Sequence, residues 1–151
     1  MEILLLLHNK YLCDKMVTIE AIIEKASDGT YSVYCKDEIF SGAGSTISEA
    51  KDDMARQMSF YKQTAIEEKF KYPEFLDSDY SIHYSVDVLS LMKYYVDSGT
   101  FSLSCLEKVT GINQKQLWSY LNGTKPRKSQ VERIENGFRN LSKDLNAIFA
   151  Y

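Results

Sequence analysis

The sequence from Leu106 to Lys128 reads LEKVTGINQKQLWSYLNGTKPRK. Two short apolar-patterned runs lie on either side of Gly111, and they are followed by an Asn-Gly pair and by basic residues around a proline. A glycine between two short helices ends the first and turns the chain into the second. Helix, glycine turn, polar helix and basic loop, in that order, are the sequence form of a helix-turn-helix.

The second helix of this unit has one apolar side and one polar side. At about 100° per residue, Leu117 and Leu121 face inward, and Lys115 and Ser119 lie together on the opposite side. In the major groove, Gln can bond adenine and Lys can bond guanine. We therefore predict that this helix enters the major groove and that three residues read bases: Gln114, Lys115 and Ser119.

The chain turns at Asn122-Gly123 into a loop with three basic residues. Contacts from such a loop to DNA phosphates give affinity and register but little sequence information. The predicted phosphate contacts are Asn122, Thr124, Lys125, Arg127 and Lys128. A glycine between helices, or a basic loop, also occurs in ordinary helical domains, so the prediction depends on their combination.

Capping residues define the helices around this unit. We expect Asp87 to cap a helix over residues 88–97 and Ser102 to cap the first helix of the unit. Asn113 should start the second helix, with Gln116 at capping-box spacing. The second half of the chain is therefore predicted to be all-α.

The final helix is longer than so small a domain needs. Ser129 and Glu132 have capping-box spacing, and the apolar residues that follow recur every three or four positions, as in a helix seam. The seam consists of Val131, Ile134, Phe138, Leu141, Leu145 and Ile148. Its first part should cover the helix-turn-helix core. We predict that the distal part forms a homodimer or a higher even oligomer, which suits a palindromic DNA site. The dimerisation residues would be Leu141, Leu145 and Ile148.

The first half of the chain has strand periodicity. Alternation from Val17 onward, an Asp-Gly turn and renewed alternation predict a hairpin over residues 17–37. After a glycine-bearing loop at 41–45, Thr46 and Glu49 form a capping box that starts an amphipathic helix. Alternation over 80–87 adds a later strand, which gives the order ββαβ.

The stretch DGTYSVY, followed by GSTISEAKDDM, resembles the G-x-T-x-x-E-A signature of HicB-type antitoxin domains. The resemblance covers roughly residues 16–95 and implies a truncated ribonuclease-H-like fold. It departs from the family after the second strand, where this chain has EIFSGAG in place of the usual Pro-Gly pair.

The opening stretch is also similar to the Cro and phage-repressor class of helix-turn-helix. The matching positions are Leu106, Gly111, Ile112, Leu117 and Gly123. By this resemblance, the groove-facing positions are again Gln114, Lys115 and Ser119. The class often has a small residue just after the leucine, and here Glu107 occupies that position.

We therefore predict an α+β protein with an N-terminal ββαβ, truncated ribonuclease-H-like domain and an all-α helix-turn-helix domain. Residues 1–15 form an N-terminal extension, which is either outside the fold or a small docking strand. Residues 16–86 form the HicB-like, partner-binding domain. Residues 87–151 form the DNA-binding domain with its long C-terminal helix.

Charge is distributed unevenly along the 151 residues. Residues 1–100 carry ten Lys or Arg and seventeen Asp or Glu, a net charge of −7, whereas residues 101–151 carry eight and four, a net charge of +4. The basic part suits a polyanion and the acidic part suits a basic partner. Ordinary solvated surfaces would explain the same charges equally well.

The cysteines and the apolar N-terminus exclude several classes of protein. Cys13, Cys35 and Cys105 are odd in number and have no CxxC spacing, so the sequence implies neither a disulfide framework nor a zinc site. The apolar run from Ile3 to Leu7 is too short to span a membrane and lacks the features of a signal peptide. We expect a cytoplasmic protein with reduced thiols and no membrane association.

A ribonuclease-H-like domain raises the possibility of a metal-dependent nuclease, which needs converging carboxylates. The candidates are Glu20, Glu24, Glu49, Asp52 or Asp53, and Asp87. Surface solvation explains them more simply, and His83 on the polar side of a strand is expected to be a surface residue. We expect no catalytic residue, metal or cofactor.

Similarity to HicB proteins implies an antitoxin. Its N-terminal domain would neutralise a small RNA-cleaving toxin of the HicA type, and its C-terminal domain would repress the shared operon by binding double-stranded operator DNA. The alternative is a stand-alone repressor whose N-terminal domain serves oligomerisation or ligand sensing.

Overall fold

The computed structural model describes residues 16–150. Its strands are β1 (Val17–Lys25), β2 (Tyr31–Cys35), β3 (Ser41–Gly44) and β4 (Tyr80–Val86). Its α-helices are α1 (Ile47–Glu68), α2 (Val88–Asp97), α3 (Leu103–Thr110), α4 (Gln114–Leu121) and α5 (Lys128–Phe149), and a short 3-10 helix spans Glu74–Asp77. The predicted α+β class is confirmed. The proposed extension, residues 1–15, lies outside the described residues.

The four strands form one mixed sheet in the order β3-β2-β1-β4. β1 and β2 form the predicted antiparallel hairpin, with Ala21 opposite Cys35 and Ile23 opposite Val33. β4 returns parallel to β1, on the other side from β2. The prediction of a strand from the alternating residues is confirmed as β1, because Ile19, Ala21 and Ile23 are buried on one face of it.

β3 corrects the predicted ββαβ order to βββαβ. The glycine-rich stretch at 41–45, predicted to be a loop, pairs with β2 over Ser41–Gly44. Gly42 is there because α1 crosses close to the strand: a Cβ atom at this position would overlap the Ala50 carbonyl oxygen and the Met54 amide nitrogen. Glycine is normally unfavourable in a strand, which is why the local sequence predicted a loop. The strand forms nevertheless, and its close packing against α1 requires glycine at this position.

The outer edge of β3 is attached to α1 through Asp53. The Ala43 amide donates to one Asp53 carboxylate oxygen at 3.1 Å, and Arg56 donates to the other at 2.9 Å. The Arg56 hydrogen bond, followed by that from Ala43, lowers the pKa of Asp53 below its ordinary value. The strand edge is therefore partly covered rather than open to pairing.

α1 begins at the predicted capping box. Thr46 Oγ1 accepts from the Glu49 amide at 3.1 Å, and the Glu49 carboxylate accepts from the Ser45 amide at 2.8 Å. The apolar stripe packs on the sheet as predicted, with Ala50, Met54 and Met58 buried. The helix ends at Glu68, before Pro73, because Lys69 adopts a left-handed conformation with φ of 58°.

The buried side chains form two clusters. The first lies between the sheet and α1, and the second lies among α2 to α5. α2 follows β4 directly: the Asp87 amide donates to the Ile23 carbonyl at 2.8 Å, and its carboxylate caps the helix by accepting from the Leu89 amide at 2.9 Å. The Lys25 amide also donates to Ser90 Oγ at 3.0 Å, so α2 is hydrogen-bonded to the end of β1.

Gly42→Ala should destabilise the fold, because the added methyl group has no space between β3 and α1. We expect a loss of about 1–3 kcal/mol in the free energy of unfolding, the usual cost of overpacking. Urea denaturation would measure it. Ser41→Ala, an exposed change on the same strand, is the control and should cost less than about 0.5 kcal/mol. Equal stability of the two variants would contradict the close packing of β3 on α1.

Candidate nucleic-acid interface

The turn between α3 and α4 forms as its sequence predicts. Ser102 Oγ accepts from the Cys105 amide at 3.1 Å and starts α3. Gly111 ends the helix in a left-handed conformation, φ +69°, and its amide donates to the Glu107 carbonyl at 2.8 Å. Only glycine adopts this conformation without steric cost, which explains its place in the motif.

A buried threonine fixes the turn from inside. Thr110 Oγ1 donates to the Leu106 carbonyl at 2.7 Å and accepts from the Ile112 amide at 3.2 Å. Ile112 packs inward and is almost fully buried. Sequence reasoning missed Thr110, because a threonine that bonds back along its own helix has no distinctive sequence pattern.

α4 starts at the predicted cap. Asn113 Oδ1 accepts from the Gln116 amide at 2.9 Å. The reciprocal half of the capping box is absent, because Gln116 Nε2 instead donates to the Tyr120 hydroxyl at 2.7 Å. Leu117 is fully buried, and Tyr120, which the sequence pattern did not place on the inward side, is buried as well. The inward side of α4 is therefore wider than the sequence suggested.

α5 is positioned against the turn by two contacts that sequence reasoning missed. A Cβ atom at Gly137 would lie 2.6 Å from the Val109 carbonyl oxygen, so α5 approaches the end of α3 closely. Arg133 donates to the Gly111 carbonyl at 2.6 Å. A glycine inside a helix costs about 1 kcal/mol of stability relative to alanine. Gly137 in a helical pattern could therefore have indicated that another element approaches the helix closely at this position.

α5 begins two residues earlier than the predicted cap at Ser129 implies. Arg127 is the N-cap, and its carbonyl accepts from the Val131 amide at 3.1 Å, so Ser129 lies inside the first turn. Among the described residues, no side chain caps this helix start.

The three predicted base readers differ in their accessibility. Gln114 and Lys115 are exposed at the start of α4. Gln114 Nε2 donates to the Glu107 carboxylate at 2.7 Å, so the residue that departs from the repressor pattern holds a predicted base reader. Ser119 is half-buried, and its hydroxyl donates to the Gln116 carbonyl at 2.8 Å.

The predicted phosphate contacts all lie on the surface beside α4. The exposed residues are Asn122, Thr124, Lys125, Arg127 and Lys128. A groove of about 450 Å³ separates this loop from α4. It is lined by Gln116, Ser119, Tyr120, Thr124, Lys125, Arg127 and Gln130. Ser119 thus faces the loop that carries the predicted phosphate contacts.

The loop charges are mostly available for a ligand. Within residues 16–150, neither Lys125 nor Arg127 forms an ion pair, and Lys128 Nζ lies 4.0 Å from Glu132. The Asn122 side-chain amide donates to the Trp118 carbonyl at 2.8 Å, so this predicted phosphate contact also caps the end of α4. Trp118, which the sequence left without a role, is 58% exposed on the same helix.

The seam of α5 changes from buried to exposed along its length. Val131, Ile134 and Phe138 pack in the second core. Leu141 is half-buried, and beyond it Leu145 and Ile148 are exposed, Ile148 by 57%. The three predicted dimerisation residues thus extend the buried seam outward.

A second exposed apolar surface lies beside β3. Ile39 and Phe60 are 71% and 69% exposed and line a groove of about 590 Å³. Its other walls come from β2, β3 and α1, including Tyr34 and Asp53. We call the pair Ile39 and Phe60 the β3 patch.

Five of the six candidate nuclease carboxylates have separate structural contacts, and the sixth, Asp52, is exposed. Glu20 lies 3.0 Å from His83 Nδ1, and Glu24 accepts from the Tyr34 hydroxyl at 2.8 Å. Burial, followed by the Glu24 contact, raises the pKa of Tyr34 to about 12. Glu49, Asp53 and Asp87 bond backbone amides, as described above. Across positions 16–150, no three His, Cys, Asp or Glu side chains are grouped as a metal site would require.

No helix in the described part of the chain combines the length and apolar character needed to cross a membrane. No protein-family model, curated protein or solved structure matches this sequence. What the chain does must therefore be inferred from its own side chains and their contacts.

Proposed function

We propose that α3 and α4 form a helix-turn-helix that binds double-stranded DNA sequence-specifically, with α4 in the major groove. One observation carries the proposal: the inward side of α4 is fully packed, while its other side and the loop after it present Gln114, Lys115, Lys125 and Arg127 to solvent. Exposed amide and basic groups are the groups that bond base edges and the flanking phosphates.

Gln114 is held ready for a base by Glu107. A glutamine amide has two donor hydrogens and an acceptor oxygen. The 2.7 Å contact with Glu107 uses one hydrogen, which leaves the other hydrogen and Oε1 for a bidentate contact with adenine. Glu107 would therefore orient the base reader by restricting its rotamers before DNA arrives.

Lys125, Arg127 and Lys128 would neutralise phosphates. The groove between their loop and α4 widens this surface, and Ser119 on its wall would serve the phosphate side of the interface more readily than the base side. Two such modules would bind a palindromic site if the exposed end of the α5 seam joined two copies of the chain.

For the whole chain we propose a HicB-like antitoxin that represses its own operon. The N-terminal domain would have the truncated ribonuclease-H-like fold and would neutralise a HicA-type toxin. Support comes from the DGTYSVY and GSTISEAKDDM resemblance, the net charge of −7 in residues 1–100, and the exposed β3 patch as a contact surface. A net negative charge and an exposed apolar pair both suit a basic RNA-binding partner.

Replacing Lys125, Arg127 and Lys128 by Ala should weaken binding to every DNA sequence and reduce the salt slope by about one unit for each lost phosphate contact. Fluorescence anisotropy on selected and random duplexes, titrated over salt concentration, would measure this. The control replaces Lys36, Lys71 and Arg139, which changes the net charge equally.

Gln114→Ala or Lys115→Ala should instead cost about 1–3 kcal/mol on the selected site alone. An unchanged slope, or equal losses on both duplexes, would contradict these assignments.

The antitoxin proposal predicts that the full chain captures the product of an adjacent small gene and blocks its RNA cleavage. Replacing Ile39 and Phe60 by Ser should abolish capture, because the apolar centre of the contact is lost. Ile66→Ser, also an exposed residue of α1, is the control. Undiminished capture by the double variant would exclude the β3 patch. Failure of the wild-type chain to capture any such protein would favour the stand-alone repressor.

The dimer proposal predicts that Leu145→Glu with Ile148→Glu yields a monomer at micromolar concentration, because the charges would have to be buried in the interface. Sedimentation velocity would measure the change. Asn146→Glu with Ala147→Glu adds the same charge on the other side of α5 and should leave the dimer intact. A monomeric wild-type chain would contradict the proposal.

A further inference from the structure

Trp118 is an apolar side chain on an otherwise polar surface. It is 58% exposed in the middle of α4, whereas Leu117 beside it is fully buried. Among residues 16–150 it belongs to neither buried cluster and pairs with no other aromatic ring. Packing within the described fold therefore does not explain a tryptophan here.

The position of Trp118 ties it to the base readers. Residues three and four apart are neighbours on a helix surface. Gln114 lies four residues before Trp118 and Lys115 lies three before it. A ligand that contacts both of these side chains must therefore also approach the indole ring.

The charges around Trp118 indicate what kind of ligand this is. Lys115, three residues before Trp118, is exposed and forms no ion pair in the described chain, and the nearby Glu107 is bonded to Gln114. Lys125 and Arg127 are exposed as well and line the groove on the Ser119 side of the same helix. Such a surface favours a polyanion over an apolar pocket of a protein. On the base edges of the major groove, the apolar group is the C5 methyl of thymine.

We infer that Trp118 is a specificity-determining residue that contacts a thymine methyl group in the major groove. The inference rests on the DNA binding proposed above. One helical turn is about 5.4 Å and one base-pair step is about 3.4 Å, so the thymine lies one or two base pairs from the base that Gln114 reads. A preference for thymine at that position follows from burial of the methyl group against the indole.

The test removes one methyl group from the DNA and one ring from the protein. The full chain first selects a site from a pool of random 20-base-pair duplexes, and each thymine of that site is then replaced by deoxyuracil. One replacement should weaken wild-type binding about fourfold, the factor for burying one methyl group. The same replacement should have no effect on Trp118→Ala, whereas Trp118→Phe should retain most of the effect.

Trp118 also provides a direct signal, because it is the only tryptophan of the chain. Its emission should change when the selected duplex is added, and the change should be smaller with the critical deoxyuracil. Circular dichroism would establish that the variants are folded, which the exposure of the side chain leads us to expect.

Four results would overturn the inference. If every thymine replacement affects wild type and Trp118→Ala equally, or if Trp118→Ala binds the selected duplex as tightly as wild type, Trp118 does not read a methyl group while the DNA proposal stands. If Trp118→Ala turns a dimer into a monomer, the indole covers a protein contact. If the wild-type chain enriches no duplex at all, the proposed function fails and this inference fails with it.

Discussion

The candidate interface depends on the left-handed turn at Gly111. The Gly111 amide donates to the Glu107 carbonyl, and the Gly111 carbonyl accepts from Arg133. The buried Thr110 hydroxyl links the Leu106 carbonyl before the turn to the Ile112 amide after it. These bonds fix the angle between α3 and α4. The exposed side of α4 is therefore held on a rigid support, and a rigid support is what lets a few side chains discriminate between bases.

The same turn connects α5 to the candidate interface. Gly137 lets α5 approach the end of α3, and Arg133, one turn earlier, reaches the carbonyl of Gly111. The start of α5 then carries Arg127 and Lys128, and its far end carries the exposed part of the seam. One helix would thus link phosphate contact to the association of two chains.

Local sequence signals predicted the elements around the site because those elements depend on neighbouring residues. Caps at Thr46, Asp87, Ser102 and Asn113 act within one helical turn, and each was confirmed. β3 was missed because its glycines are needed by α1, which comes later in the chain. The contact of Glu107 with Gln114 was missed for a similar reason, since a residue pattern does not reveal which side chains meet across a turn. The prediction that Ser129 caps α5 was wrong, because the Arg127 carbonyl accepts the first backbone hydrogen bonds and the helix therefore starts before Ser129.

Amide hydrogen exchange of the full chain, with and without the selected duplex, tests the central claim most directly. Binding through α4 predicts slower exchange across residues 113–128 and no change in the sheet residues 17–35. Protection confined to the N-terminal domain, or none at saturating duplex, would contradict the claim that α4 and the following loop form the nucleic-acid interface.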